Sequence, residues 1–297
     1  MNLENYLKEN GHTKQLIDLM KIVVKQVPQI KAEFQRGDEK TGVYNIYGEE
    51  QAKMDQRANE IWIEALSKSK LVKEIATEEE RDIIRLNYEK GYGVTIDPLD
   101  GSSLLPTNLA VGSIFSIYEN GEIMSGLQQI SAAFYILFGP LTLMVFADKK
   151  EVSQFIFNER KKQFDLVKRN LTIPEGKLYA PGGLRKDWLE NHKKAIEYLE
   201  KEGFKLRYSG SFVADFHQIL IYGGIFTYPA LLNEPNSKLR LLFEVGPMAF
   251  IAEKAKGEAI DGKNRILDII PAKVDQRIPI YIGSKKVIEE IKSILAQ

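Results

Sequence analysis

The sequence predicts a mixed α/β or α+β protein built in layers, and three observations carry that class. Leu16, Leu19, Met20, Val23, Val24 and Val27 recur at helical spacing near the start of the chain. The middle holds apolar β-like runs, Val111–Tyr118 and Ile123–Ala147, on either side of the turn Glu119-Asn120-Gly121. After Pro174 helical and extended segments alternate. The hairpins in the middle speak against a simple βαβ repeat. No Gly-x-Gly-x-x-Gly follows a strand, so a dinucleotide fold has no support.

Element by element, the first long helix is followed by a second beginning near Glu49 and carrying Ala52, Ala58, Ile61, Trp62 and Ala65. Short strands are expected at Leu71–Thr77 and Tyr92–Asp97, and another pair at Glu151–Phe157 and Lys162–Lys168. Ile123–Ala147 has no charged residue and is long enough to span a membrane. Its Ser125, Gln128, Gln129, Ser131 and the Gly139-Pro140 break read instead as two buried strands joined by a turn. Further on, Lys186–Glu202, Phe212–Tyr222, Pro247–Lys256 and Lys285–Leu295 are expected as helices, and Phe204–Tyr208, Ile225–Tyr228 and Ile280–Ile282 as extended segments. The change of texture sets a soft boundary near residue 170, dividing 1–170 from 171–297 as two closely packed parts.

Composition narrows the function. The 297 residues are 44% apolar, enough for a large core, with 41 basic and 41 acidic side chains. That balance argues against nucleic acid or a membrane surface as partner. With no cysteine there are no disulfides, thiolate zinc sites or cysteine nucleophiles. The first residues lack the pattern of a signal peptide, and a soluble, cytoplasmic protein is expected.

Three acidic groups follow apolar β-like runs or open a helix: Glu78-Glu79-Glu80, Asp97 with Asp100, and Glu244. Hard oxygen ligands, with no cysteine and only three histidines, favour Mg²⁺ or Mn²⁺ over zinc. Asp97-Pro98-Leu99-Asp100-Gly101-Ser102-Ser103 adds a bend between two carboxylates. Gly101, Ser102 and Ser103 supply amides that can approach an anion, more so if a helix starts there. Metal and phosphate side by side would suit metal-assisted phosphate hydrolysis. An ordinary Asx-type surface turn accounts for the same dipeptides, and Glu78–Glu80 alone reads as a solvated charge run. Glu244 between apolar stretches is harder to leave unpartnered. His217 reads as structural, and His12 and His192 as surface residues.

With these blocks stand Gly48-Glu49-Glu50-Gln51, Lys53-Met54-Asp55, Val111–Tyr118, Arg207–Asp215, Tyr222–Pro229, Lys238–Glu244, Pro247-Met248-Ala249, Asp261-Gly262-Lys263, Arg265–Ile269 and Gln276-Arg277. In this order, over most of the chain, they resemble the class I fructose-1,6-bisphosphatase family within the inositol-phosphatase-like superfamily. The resemblance implies a layered αβαβα sandwich of the sugar-phosphatase type and a homotetramer. It implies a metal- and phosphate-binding first part, a sugar-binding second part, and two or more Mg²⁺ ions per subunit. The metal positions fall on Glu78, Asp97, the carbonyl of Leu99, Asp100 and Glu244. Glu79 and Asp55 match residues that activate the attacking water, and Arg240 one that stabilises phosphoryl charge. Asp100, Gly101, Ser102, Ser103, Tyr208, Tyr228 and Lys238 match substrate contacts. Arg207 matches a residue that reaches the distal phosphate of a neighbouring subunit's substrate. The implied reaction removes the 1-phosphate of fructose 1,6-bisphosphate.

The pattern slips in five places. Glu49 stands for an aspartate. Leu104-Leu105-Pro106-Thr107-Asn108 replaces a more polar run, and Tyr179-Ala180-Pro181-Gly182-Gly183 lacks an asparagine. Gly91 replaces a lysine before Tyr92, and Gly11–Gln15 aligns only loosely with the AMP region of relatives, so weak or absent AMP control is expected. Sedoheptulose 1,7-bisphosphate, alone or beside fructose 1,6-bisphosphate, is the nearest alternative substrate. An inositol monophosphatase gives no reason for Lys238, Tyr208 and Arg207. A non-catalytic metal-binding protein gives none for Glu79, Asp55 and Arg240.

Overall fold

The computed structural model describes residues 1–34, 40–44 and 50–297. The chain passes through α1 (Leu3–Glu9), α2 (Lys14–Phe34), β1 (Lys40–Tyr44), β2 (Glu50–Ala52), α3 (Lys53–Lys68), β3 (Val72–Thr77), β4 (Ile84–Arg85) and β5 (Tyr92–Asp100). Five antiparallel strands follow: β6 (Val111–Tyr118), β7 (Ile130–Phe138), β8 (Thr142–Asp148), β9 (Val152–Asn158) and β10 (Gln163–Lys168). Then come β11 (Leu178–Pro181), α4 (Glu190–Lys201), β12 (Lys205–Leu206), α5 (Phe212–Tyr222), β13 (Gly224–Tyr228) and α6 (Gly246–Lys254). The chain closes with β14 (Glu258–Ile260), β15 (Ile280–Gly283) and α7 (Lys285–Leu295).

Two sheets organise the chain. The larger has the order β10-β9-β8-β7-β6-β5-β3-β4 and the smaller β12-β11-β13-β15-β14. Side chains alternate across a strand, so each buried sheet must be covered on both faces. Along β6, Phe115 and Ile117 join a core shared with α1, α2 and α3. Ile114 and Tyr118 point the other way, into a core shared with α5 and α6. The outer face of the smaller sheet packs Ile225 and Tyr281 against α4 and α7. The result is the layered αβαβα sandwich. β7 and β8 turn at Gly139-Pro140, and no helix among the described residues is long and apolar enough to cross a membrane.

Several local expectations change. The second helix starts at Lys53, because Glu50–Ala52 pairs with β1 as a strand; Gly48 and Glu49 lie outside the described residues. Ile123–Ser125 and Leu127–Gln129 are short 3-10 turns, separated by Gly126 at φ +110°, so the long apolar run is strand only from Ile130. The helix expected from Lys186 begins at Glu190, after a turn over Arg185–Asp187 that Trp188 closes by donating its indole N–H to the Gly182 carbonyl (2.9 Å). The apolar β-like run before Glu244, Leu239–Phe243, is not a strand: Leu241–Val245 forms a π-helical turn leading into α6. His192 is no surface residue. It is buried, with Nδ1 3.0 Å from the Tyr281 hydroxyl, and His12 is half-buried with Nε2 2.8 Å from Asp148.

Candidate active site

A bulge in β5 builds the centre. Asp97 pairs with Ile114 and Asp100 with Gly112, so three steps along β5 match two along β6. In an unbroken strand residues 97 and 100 would face opposite sides; one extra residue brings both carboxylates to the same side. Pro98, which has no N–H to give the ladder, sits within that extra step. Its carbonyl accepts from Ser113 Oγ (2.7 Å), and the Leu99 amide donates to Asp97 Oδ1 (3.0 Å). Gly112 opposite leaves room for α5, since a Cβ there would lie 2.9 Å from Val213.

Beyond Asp100 the chain enters a 3-10 turn, Ser102–Thr107, through Gly101 in the left-handed region at φ +77°. The first amides of such a turn have no intrahelical partner and face an incoming anion. As a 3-10 turn it lacks the macrodipole of a longer helix. Ser102 Oγ donates to Asp55 Oδ2 (2.9 Å), which ties α3 to the turn.

The remaining carboxylates arrive from two directions. Glu78 follows β3, and its amide continues the ladder to the Ile96 carbonyl (3.1 Å). Glu244 sits on the π-helical turn, not after a strand, and its Oε2 accepts the Arg240 amide (2.7 Å). Glu78, Asp97 and Glu244 place carboxylate oxygens within 4.8 Å of one another. Asp100 faces the same cleft, but its Oδ2 accepts from Ser211 Oγ (2.7 Å) and the Val213 amide (2.9 Å).

Burial drives the charge state of this group. It pushes Asp97 well above the usual carboxylate range, with repulsion from Asp100, Glu244 and Asp55 adding to the effect. Burial also raises Asp100, against the hydrogen bonds it accepts. Burial, then repulsion from Asp100, lifts Glu244 to about 7. Three crowded oxygen donors that are costly to ionise together fit a hard divalent cation, which would offset their repulsion. The buried Arg240 guanidinium pairs with Glu78 and supplies part of that compensation.

These groups line one cleft of about 400 Å³. It contains Asp55, Glu78, Glu79, Asp97, Leu99, Asp100, Gly101, Ser102, Ser103, Tyr208, Tyr228, Lys238, Arg240 and Glu244. Every residue that the resemblance assigns to metal, substrate or catalysis is there except Arg207; Glu80 lies outside, accepting from Asn59 (3.0 Å). The Arg207 guanidinium lies 5.6 Å from the Tyr222 ring centroid, with Nη1 3.4 Å from Gln218 Oε1, outside its own chain's cleft. Sequence reading missed Ser211 and Val213, which hold Asp100. The available signal was Ser211 as N-cap of α5, where a hydroxyl is expected to accept an amide and is free to donate elsewhere.

Comparison with known proteins gives a consistent match. Models of the fructose-1-6-bisphosphatase N-terminal and C-terminal domains match residues 2–169 and 173–296. A Methanospirillum hungatei protein named fructose-1,6-bisphosphatase class 1 is 47% identical over 293 residues, covering 98% of this chain and 94% of its own. A protein of the same name from Methanocorpusculum labreanum is 43% identical, covering 98% and 91%. The crystal structure of Leishmania major fructose-1,6-bisphosphatase in holo form superposes with a TM-score of 0.94 at 28% identity, covering 100% of this chain and 99% of that one. Its apo form gives 0.90 at 27% identity with the same coverage.

Proposed function

This chain belongs to the fructose-1,6-bisphosphatase family, and we propose that it hydrolyses the 1-phosphate of fructose 1,6-bisphosphate, giving fructose 6-phosphate and phosphate, with Mg²⁺ as cofactor. The observation that carries this reading is the convergence of Glu78, Asp97 and Glu244 beside the Gly101–Ser103 turn, with Lys238 across the same cleft. Glu78, Asp97, the Leu99 carbonyl, Asp100 and Glu244 would hold two or more Mg²⁺ ions. The bound cations would supply charge neutralisation and a more acidic water.

The chain's own groups divide the remaining work. The Gly101, Ser102 and Ser103 amides receive the phosphoryl oxygens, and Arg240 faces the charge that grows on them. Of Glu79 and Asp55, one carboxylate accepts the proton of the attacking water while the other orients it; Ser102 Oγ fixes the Asp55 carboxylate. As the new oxygen–phosphorus bond forms, the bond to the sugar O1 breaks and that oxygen takes up a proton. Tyr208, Tyr228 and Lys238 receive the sugar and its distal phosphate. Residues 1–170 thus supply most of the metal and phosphate chemistry, and residues 171–297 the sugar site together with Arg240 and Glu244.

The outward direction of Arg207 supports a homotetramer in which it serves a neighbour's substrate. A cytoplasmic location completes the reading. Sedoheptulose 1,7-bisphosphate remains the alternative substrate because Leu104 and Leu105 make the turn after Ser103 apolar, with both packed against the core beneath.

Phosphate release from a panel of sugar phosphates tests this. Expected is activity on fructose 1,6-bisphosphate that EDTA abolishes and Mg²⁺ restores. A higher kcat/KM for sedoheptulose 1,7-bisphosphate would transfer the assignment to that sugar, and EDTA-resistant release would reject the metal reading.

A further inference from the structure

One face of α5 carries Ser211, Asp215, Gln218 and Tyr222, spaced by four, three and four residues and therefore stacked along the helix. Ser211 holds Asp100, as described above. Each of the other three touches the irregular segment that follows β12. Asp215 is completely buried, and its carboxylate accepts the Ser209 amide on both oxygens (2.9 and 3.0 Å) and the Gly210 amide on one (3.3 Å). Gln218 donates its side-chain amide to Asp215 (3.4 Å), while its carbonyl oxygen accepts from Arg207 (3.4 Å). The Tyr222 ring underlies the same guanidinium.

The consequence is geometric. Tyr208 stands between Arg207 and Ser209, and it faces the cleft while Arg207 faces away. The ladder to β11 ends at this point: β12 has only two residues, both exposed, and its last bond is the Arg207 amide to the Tyr179 carbonyl (2.9 Å), so beyond Arg207 the main chain leans on Asp215. A buried carboxylate must be hydrogen-bonded, and here its acceptors are spent on the main chain just past Tyr208. Through Gln218 the same carboxylate reaches the residue just before Tyr208.

We propose that Asp215, assisted by Gln218, is a positioning residue for recognition of the distal phosphate: it holds Tyr208 in its own cleft and aims Arg207 outward. This rests on the sugar-bisphosphate reading given above. Because neither side chain touches the reacting phosphoryl group, the effect belongs in substrate affinity and not in the chemical step.

The test combines steady-state kinetics on fructose 1,6-bisphosphate with calorimetric binding of fructose 6-phosphate, which carries the distal phosphate alone. For Asp215→Asn we expect KM and the fructose 6-phosphate Kd to rise about tenfold, and for Gln218→Met about threefold, with kcat within about twofold of wild type. Gln218→Glu, which keeps an acceptor for Arg207 but replaces the donor to Asp215 with a second carboxylate, should raise both values at least as much as Gln218→Met. A fall in kcat with KM unmoved, or unchanged fructose 6-phosphate affinity in both variants, overturns the proposal. If Asp215→Asn fails to fold, the half-buried Gln218 variants decide alone. If the wild type releases no phosphate, the activity reading fails, while the binding measurements still judge the positioning role.

Discussion

Asp97 and Glu244 bring carboxylate oxygens within 4.8 Å of each other from two different layers, one on a bulged strand and the other on a π-helical turn. Neither is placed by its own segment alone. The bulge at Pro98 turns Asp97 and Asp100 to one side, and the Arg240 amide fixes Glu244 opposite them.

Gly101 is a tight point of this arrangement. A Cβ on it would lie 2.6 Å from the Cβ of Ser211, whose hydroxyl holds Asp100, and its φ of +77° disfavours any side chain. Gly101→Ala should lose about 2 kcal/mol of stability and lower kcat/KM by at least ~100-fold. Denaturant titration and steady-state kinetics check both. Activity near wild type would show that Ser211 and Asp100 need not be held this closely.

Metal binding should be visible in stability as well as in turnover. Burial, then repulsion from Asp100, pushes Glu244 in the folded, metal-free protein up from the ordinary glutamate value of 4.5 to about 7. The folded state therefore binds the extra proton, and this contribution, complete below 4.5, is lost as pH rises through 7. Denaturation in EDTA should show stability falling over that window, and Glu244→Gln should remove part of the fall, the rest belonging to Asp97 and Asp100. Added Mg²⁺ should stabilise the wild type more at pH 8 than at pH 5. Equal stabilisation at both would contradict the cluster's role.

His192 gives an opposite pH signature away from the cleft. Burial, with Arg185 nearby, pushes it down from 6.5 to about 3. The unfolded chain binds the proton first, so stability is intact above 6.5 and declines as pH falls towards 3. Relative to His192→Phe, the wild type should lose roughly 1.4 kcal/mol for each pH unit below 6.5. A constant difference between the two proteins from pH 7 to 4.5 would contradict this.

AMP should not inhibit at micromolar concentration with saturating Mg²⁺. Gly91 has φ +154°, and a Cβ there would lie 2.9 Å from the Leu71 carbonyl oxygen and the Lys73 amide, so the lysine of relatives has no room on this backbone. An AMP titration of the purified protein decides it; half-inhibition in the micromolar range would contradict the expectation.

Much of this was legible in the residues, for identifiable reasons. Period-3.6 spacing from Leu16 to Val27 and the apolar runs of β6 to β8 exposed the layers, because buried faces repeat with the element. Asp97–Ser103 was visible as a bend. That its two carboxylates share a face was not, since the bulge depends on pairing with β6. Glu244 was found, but Leu239–Phe243 looked like a strand because an apolar run has no period to distinguish it from a buried helical turn. Asp215 stood in plain view on α5; its bonds to Ser209 and Gly210 exist only once the chain folds back.

The most direct measurement follows fructose 1,6-bisphosphate by ³¹P NMR during turnover with Mg²⁺. The account predicts that the 1-phosphate signal disappears, inorganic phosphate grows in equal amount, and the 6-phosphate signal persists as fructose 6-phosphate. Loss of the 6-phosphate signal, or no Mg²⁺-dependent change in either, would contradict it.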